Sequence, residues 1–120
     1  MTPTITDLQT AETETFPWGA IRWLCHDRID PAAEQTLGIA YINPGQSNPL
    51  HFHPNCEELL YVLSGECEHT VGEAVFPLKA GMMLRIPPGV KHKALATGKA
   101  PLTVVISFSS GDRQTVLCAE

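Results

Sequence analysis

Apolar and polar residues alternate along most of this chain in short stretches. From Ala20 to Cys25, Ile21, Trp23 and Cys25 share one side while Arg22 takes the other, which is the period-two pattern of a strand with one buried face. The stretches Thr36 to Ile42, Glu58 to Leu63, Glu66 to Val71, Ala74 to Leu78, Met82 to Ile86, His92 to Ala96 and Leu102 to Phe108 also read as strands. His51 to His53 and Gln114 to Cys118 are shorter pieces of the same kind. Turn residues separate them: Asn43-Pro44-Gly45, Ser64-Gly65, Gly72-Glu73, Lys79-Ala80-Gly81 and Pro87-Pro88-Gly89. Asp30-Pro31 opens a polar loop in which one helical turn, Asp30 to Gln35, fits. Many short strands at spacings of roughly 8–12 residues, with no long helix, predict an all-β sandwich or barrel.

The first fifteen residues are polar and Thr-rich, and are expected to form an irregular leader or a strand exchanged with a partner. Residues 16–120 form one domain on the usual length prior. Ser64-Gly65 reads as a two-residue hairpin turn. That register sets Leu60 opposite His69 and Glu58 opposite Val71, so His69 shares an inward face with Glu58, Leu60 and Val62.

Composition narrows the function classes. At 43% hydrophobic and 18% charged, the 120 residues can fill a core. The net charge of −5 and the absence of a Lys/Arg run argue against nucleic acid or an anionic membrane as partner. No apolar stretch reaches membrane-spanning length. Residues 1–10 lack a basic segment followed by an apolar core, so the expected compartment is cytoplasmic. Cys25, Cys56, Cys67 and Cys118 form no Cys-x-x-Cys pair and are expected to be reduced thiols.

The chemistry lies in two blocks. The first contains Gly45, His51, His53, Glu57, Glu58 and Gly65; the second contains Gly81, Pro87, Gly89 and His92. Alternate residues of an extended chain share a face, so His51 and His53 point the same way. Imidazole and carboxylate together suit one divalent ion of zinc, iron, nickel or manganese.

These blocks resemble the paired signature of the cupin superfamily. In its first motif a Gly is followed after five residues by His-x-His, then a Glu, then after six residues a Gly; Gly45, His51, His53, Glu58 and Gly65 satisfy every interval. The second motif is met by Gly81, Pro87, Gly89 and His92, with Ala96 where the family carries Asn. The resemblance implies a small jelly-roll barrel of two antiparallel sheets, metal ligands at His51, His53, Glu58 and His92, and a homodimer. Glu57 is the competing carboxylate, and both the Gly65 interval and strand alternation favour Glu58.

Further residues carry weaker signals. His69 is a candidate catalytic base or partner of the metal ligands. Arg85 interrupts an apolar strand and is a candidate for binding a substrate carboxylate. Tyr41, Tyr61, Met82 and Met83 are candidates for pocket lining, Trp18 and Trp23 for a core or a dimer interface, and Asp112-Arg113 for a surface turn or salt bridge. Four protein ligands on one ion leave positions for a small-molecule substrate. The expected function is therefore a metal-dependent enzyme of oxygenase or isomerase type, with a ligand-binding sensor as the alternative.

Overall fold

The computed structural model describes residues 2–120. Eleven strands follow a single 3-10 turn, Leu8–Thr10: β1 (Glu12–Phe16), β2 (Gly19–Cys25), β3 (Thr36–Ile42), β4 (His51–Phe52), β5 (Glu58–Ser64), β6 (Glu66–Val71), β7 (Ala74–Lys79), β8 (Met83–Ile86), β9 (His92–Ala96), β10 (Leu102–Phe108) and β11 (Val116–Leu117). They build a six-stranded sheet ordered β1-β2-β3-β10-β5-β8 and a five-stranded sheet ordered β11-β4-β9-β6-β7. No helix among the described residues is long and apolar enough to cross a membrane.

Alternation decides which side chains enter the space between the sheets. In β10, Leu102, Val104, Ile106 and Phe108 are buried while Thr103, Val105 and Ser107 are only partly so. In β5, Glu58, Leu60 and Val62 are buried while Leu59, Tyr61 and Leu63 are exposed. Cys67, Leu78, Ala94 and Ala96 of the five-stranded sheet close the core from the other side. Their small side chains at β6 and β9 leave room that the imidazoles fill.

Three expectations need correction. Ser64-Gly65 is not a hairpin turn: β5 pairs with β10 and β8, whereas β6 pairs with β7 and β9. The chain crosses there from one sheet to the other. Gly65 has φ 83°, and a Cβ on it would lie 2.7 Å from the Pro101 carbonyl oxygen, so this corner admits only glycine. Glu58, Leu60 and Val62 of β5 and Cys67 and His69 of β6 are nonetheless buried, because alternation within each strand sets its own inner face. Secondly, the boundary at residue 15 falls inside β1, which pairs with β2 from Glu12↔Trp23 to Phe16↔Gly19. Thirdly, residues 30–35 form turns and extended chain without a helical turn.

Candidate metal centre

Four side chains meet between the sheets. His51 lies in β4 directly opposite His92, the first residue of β9. His53 follows β4, and Glu58 begins β5 in the other sheet. One potential ligand atom from each of His51, His53, Glu58 and His92 lies within 4.8 Å of all the others. That spacing is on the scale of donors sharing one ion at about 2.0–2.2 Å each, so the four atoms can converge on a common point. His53, Glu58 and His92 are buried, and His51 is the partly exposed member at the mouth.

The backbone fixes the state of each imidazole. Nδ1 of His51 donates to the Pro49 carbonyl at 2.8 Å, Nδ1 of His53 to that of Gln114 at 2.9 Å, and Nδ1 of His92 to that of Val90 at 2.9 Å. A carbonyl oxygen only accepts, so in each neutral ring Nδ1 carries the proton and Nε2 presents a lone pair. The His53 and His92 Nε2 atoms then face Glu58 Oε1 at 3.3 and 3.1 Å. Acceptor faces acceptor, and the buried His53 Nε2 has no hydrogen-bond partner. A cation at this point resolves both contacts, so the residues fit a divalent ion.

Burial pushes the Glu58 carboxyl up, while hydrogen-bond donation and positive charge from His53 and His92 pull it down to about 2. Where those rings are neutral and present Nε2 lone pairs, a bound cation would supply that pull instead. Burial, reinforced by neighbouring His92, lowers His51 to about 4. Both residues are thus in the deprotonated form that a metal requires at neutral pH.

A cavity of about 50 Å³ adjoins the four residues. Its apolar wall comes from both sheets and includes Ile42, Val104 and Phe108. Past His51 and Trp18 it meets a surface groove of about 300 Å³ lined by Phe16, Pro49, Thr115 and Leu117. Phe16 and Trp18 are stacked there, with ring centroids 4.5 Å apart.

A family model described as "Cupin domain" matches residues 38–108. The chain belongs to the cupin family. This cupin is 29% identical over 109 residues to a protein of Streptomyces cyaneus named polyketide synthase CurC, covering 91% of this chain and 71% of that one. It is 32% identical over 87 residues to protein SchB of Streptomyces halstedii, covering 72% and 63% of the two chains. Among solved structures, the oxalate decarboxylase of Lactobacillus farciminis superposes with a TM-score of 0.83 at 23% identity. An oxalate decarboxylase of Bacillus subtilis, described as having Mn(II) centers, gives the same score and identity. The cupin spans only 34% and 30% of those two chains, so the likeness is one of fold.

The other sequence candidates separate cleanly. His69 is brought in: it lines the cavity, is 1% exposed, and lies nearly parallel to His92 with centroids 5.9 Å apart. Burial lowers it to about 4, so it is neutral at pH 7. Arg85 is kept out. It sits at an outward position of β8 and pairs with Glu57 at 2.7 Å, both on the exposed side of the sheet. The odd positions that place Leu59 and Tyr61 outside place Glu57 and Arg85 there too. Tyr41, Tyr61, Met82 and Met83 do not line the cavity; Ala40 and Ile42 take the inward positions of β3.

Sequence reasoning missed two groups. Arg113, read as a surface turn residue, lines the metal cavity with its guanidinium 4.5 Å over the Trp23 ring and 5.1 Å over that of Phe108. Burial pushes it below its ordinary value while Glu58 and Glu14 pull it back. A lone cation in a polar loop gives no signal of this in sequence. His26, 5% exposed, is the second omission, and its Nε2 also has no hydrogen-bond partner.

Proposed function

We propose that this cupin is a metal-dependent enzyme acting on a small polar organic molecule, by oxygenase or isomerase chemistry, on one divalent ion of iron, manganese, zinc or nickel. The supporting observation is the set of Nε2 lone pairs aimed at the Glu58 carboxylate, with His51, His53, Glu58 and His92 as the ligands. When bound, such an ion supplies Lewis acidity and open coordination positions. The chain's own residues do the rest. Ile42, Val104 and Phe108 exclude bulk water from the cavity. His69 stands beside His92 without belonging to the cluster, and its neutral ring takes up a substrate proton at Nε2 while Nδ1 stays with the Thr70 carbonyl at 3.3 Å. The likeness to a protein named as a polyketide synthase supports a small organic substrate.

The test is elemental analysis of protein purified without added metal, followed by oxygen-uptake screening against small acids and diols. About one divalent ion per chain is expected, with uptake on at least one substrate. Zinc without uptake would move the assignment to isomerisation or binding. Absence of any ion would remove the proposal.

The second reading is a non-catalytic module that holds a small acid or sugar on the ion. The cavity volume of about 50 Å³ favours it, since only the tip of a ligand enters. His69→Gln separates the two, because it removes turnover but leaves ligand affinity intact only if the cupin is an enzyme.

We also propose a cytoplasmic homodimer. Leu59, Tyr61 and Met83 form an exposed apolar strip on the outer side of β5 and β8, which a second copy would cover. Light scattering of the purified chain tests this, and a monomer at micromolar concentration refutes it.

A further inference from the structure

Arg113 is the only Arg or Lys among the residues lining the metal cavity. The Trp23 and Phe108 rings hold its guanidinium from below. Among the described residues, no carboxylate lies within salt-bridge distance of it and no acceptor takes its N–H groups in a hydrogen bond. The contrast with Arg85 is sharp, since that side chain is exposed and ion-paired. A guanidinium carries five donors in a fixed fork. Arg113 is half-buried and its nitrogens are not among the fully buried atoms that lack a partner, so those donors remain open to an incoming anion.

Charge counting points the same way. With a divalent ion bound, the ion brings two positive charges, Glu58 removes one and Arg113 adds one. Glu14, at the rim of the groove and accepting from Trp23 Nε1 at 3.2 Å, removes one more. The site is left with one net positive charge against mainly apolar walls. Arg113 also borders the outer groove, together with the stacked Phe16 and Trp18 rings. The two features together define a ligand with an anionic oxygen at one end and a flat apolar body at the other.

We propose that Arg113 is the specificity-determining residue of this site, pairing with the anionic oxygen of a planar aromatic or conjugated carboxylate whose body lies against Phe16 and Trp18. The assignment rests on the metal-dependent reading above and deepens it by naming the substrate class. It transfers to Arg113 the role that the sequence pattern suggested for Arg85.

The probe is benzoate, with benzamide as its uncharged counterpart, titrated calorimetrically into the metal-loaded full chain while metal content is measured separately. Benzoate is expected to bind at least tenfold more tightly than benzamide. Arg113→Gln should lower benzoate affinity by roughly tenfold or more, the scale of one lost charge-assisted pair, with benzamide affinity and metal content unchanged. Arg113→Lys should restore part of the loss through its charge. Equal weakening of both probes by Arg113→Gln, unaltered benzoate binding in that variant, or no benzoate binding to the unaltered protein would each overturn the assignment. The benzoate preference of the unaltered chain tests it without relying on a variant that folds. If the ion is held but benzoate ignores Arg113, the anchor falls and the metal centre stands. If no ion is held but binding still depends on Arg113, the anchor stands and the metal centre falls.

Discussion

His53 and His26 are both buried histidines whose Nε2 lacks a partner, yet the backbone gives them opposite characters. At His53, Nδ1 faces a carbonyl oxygen and must donate, so Nε2 is an acceptor turned toward another acceptor, Glu58. At His26, Nδ1 accepts from the Arg28 N–H at 3.2 Å, so Nε2 carries the hydrogen. The Glu12 carboxylate is 3.9 Å from that Nε2, beyond direct hydrogen-bond length. The first site calls for a cation and the second for an acceptor. The neighbouring main chain decides whether a buried imidazole is a ligand, and proximity to a glutamate does not.

The largest expected effect falls on the first site. Glu58→Gln should weaken metal binding by more than the roughly 10–100-fold typical of losing an outer partner, as read by competition with a chromophoric chelator. The metal-free variant should stay folded, because an amide can donate to the lone pairs that the carboxylate opposes. Retained metal affinity would break the contrast between the two histidines.

Next in size is acid sensitivity of the metal-free protein. His51 and His69 titrate at about 4 in the fold against 6.5 ordinarily, so between those values the unfolded chain binds more protons. Their contribution is present above pH 6.5 and is lost as pH falls toward 4. Glu58, held at about 2 against 4.5, extends the loss below pH 4.5. Urea midpoints measured from pH 7 to 4 should fall steadily, and a flat profile would contradict the neutral, buried state of these rings.

A smaller effect is expected at His26. His26→Ala strands the Arg28 N–H and should cost about 1–3 kcal/mol, equally with and without metal, as urea unfolding would show. A change in metal content would mean that the two histidines are coupled after all. The least effect belongs to the outer pair. Glu57→Gln or Arg85→Ala should change stability by less than about 1 kcal/mol and leave metal content untouched.

Much of this was legible in the sequence because alternation is a local property. The ends of β3, β6, β9 and β10 fall where the pattern of apolar residues places them, and the same parity selects Glu58 over its neighbour Glu57. Strand partnership was not legible. Ser64-Gly65 has the composition of a hairpin turn, yet the backbone around Pro101 and Leu102 occupies the space beside it, and that crowding depends on residues more than thirty positions away. Arg113 was misplaced for the same reason. Only the packed rings of Trp23 and Phe108, from distant strands, make its loop a cavity wall.

The cluster draws on both halves of the sandwich, with Glu58 in one sheet and His51 and His92 in the other. An ion seated there acts as a rivet through the seam, opposing any splaying of the layers. Cellular metal supply would then govern how long the folded chain survives as well as how fast it works, and a starved population would be lost first to proteases.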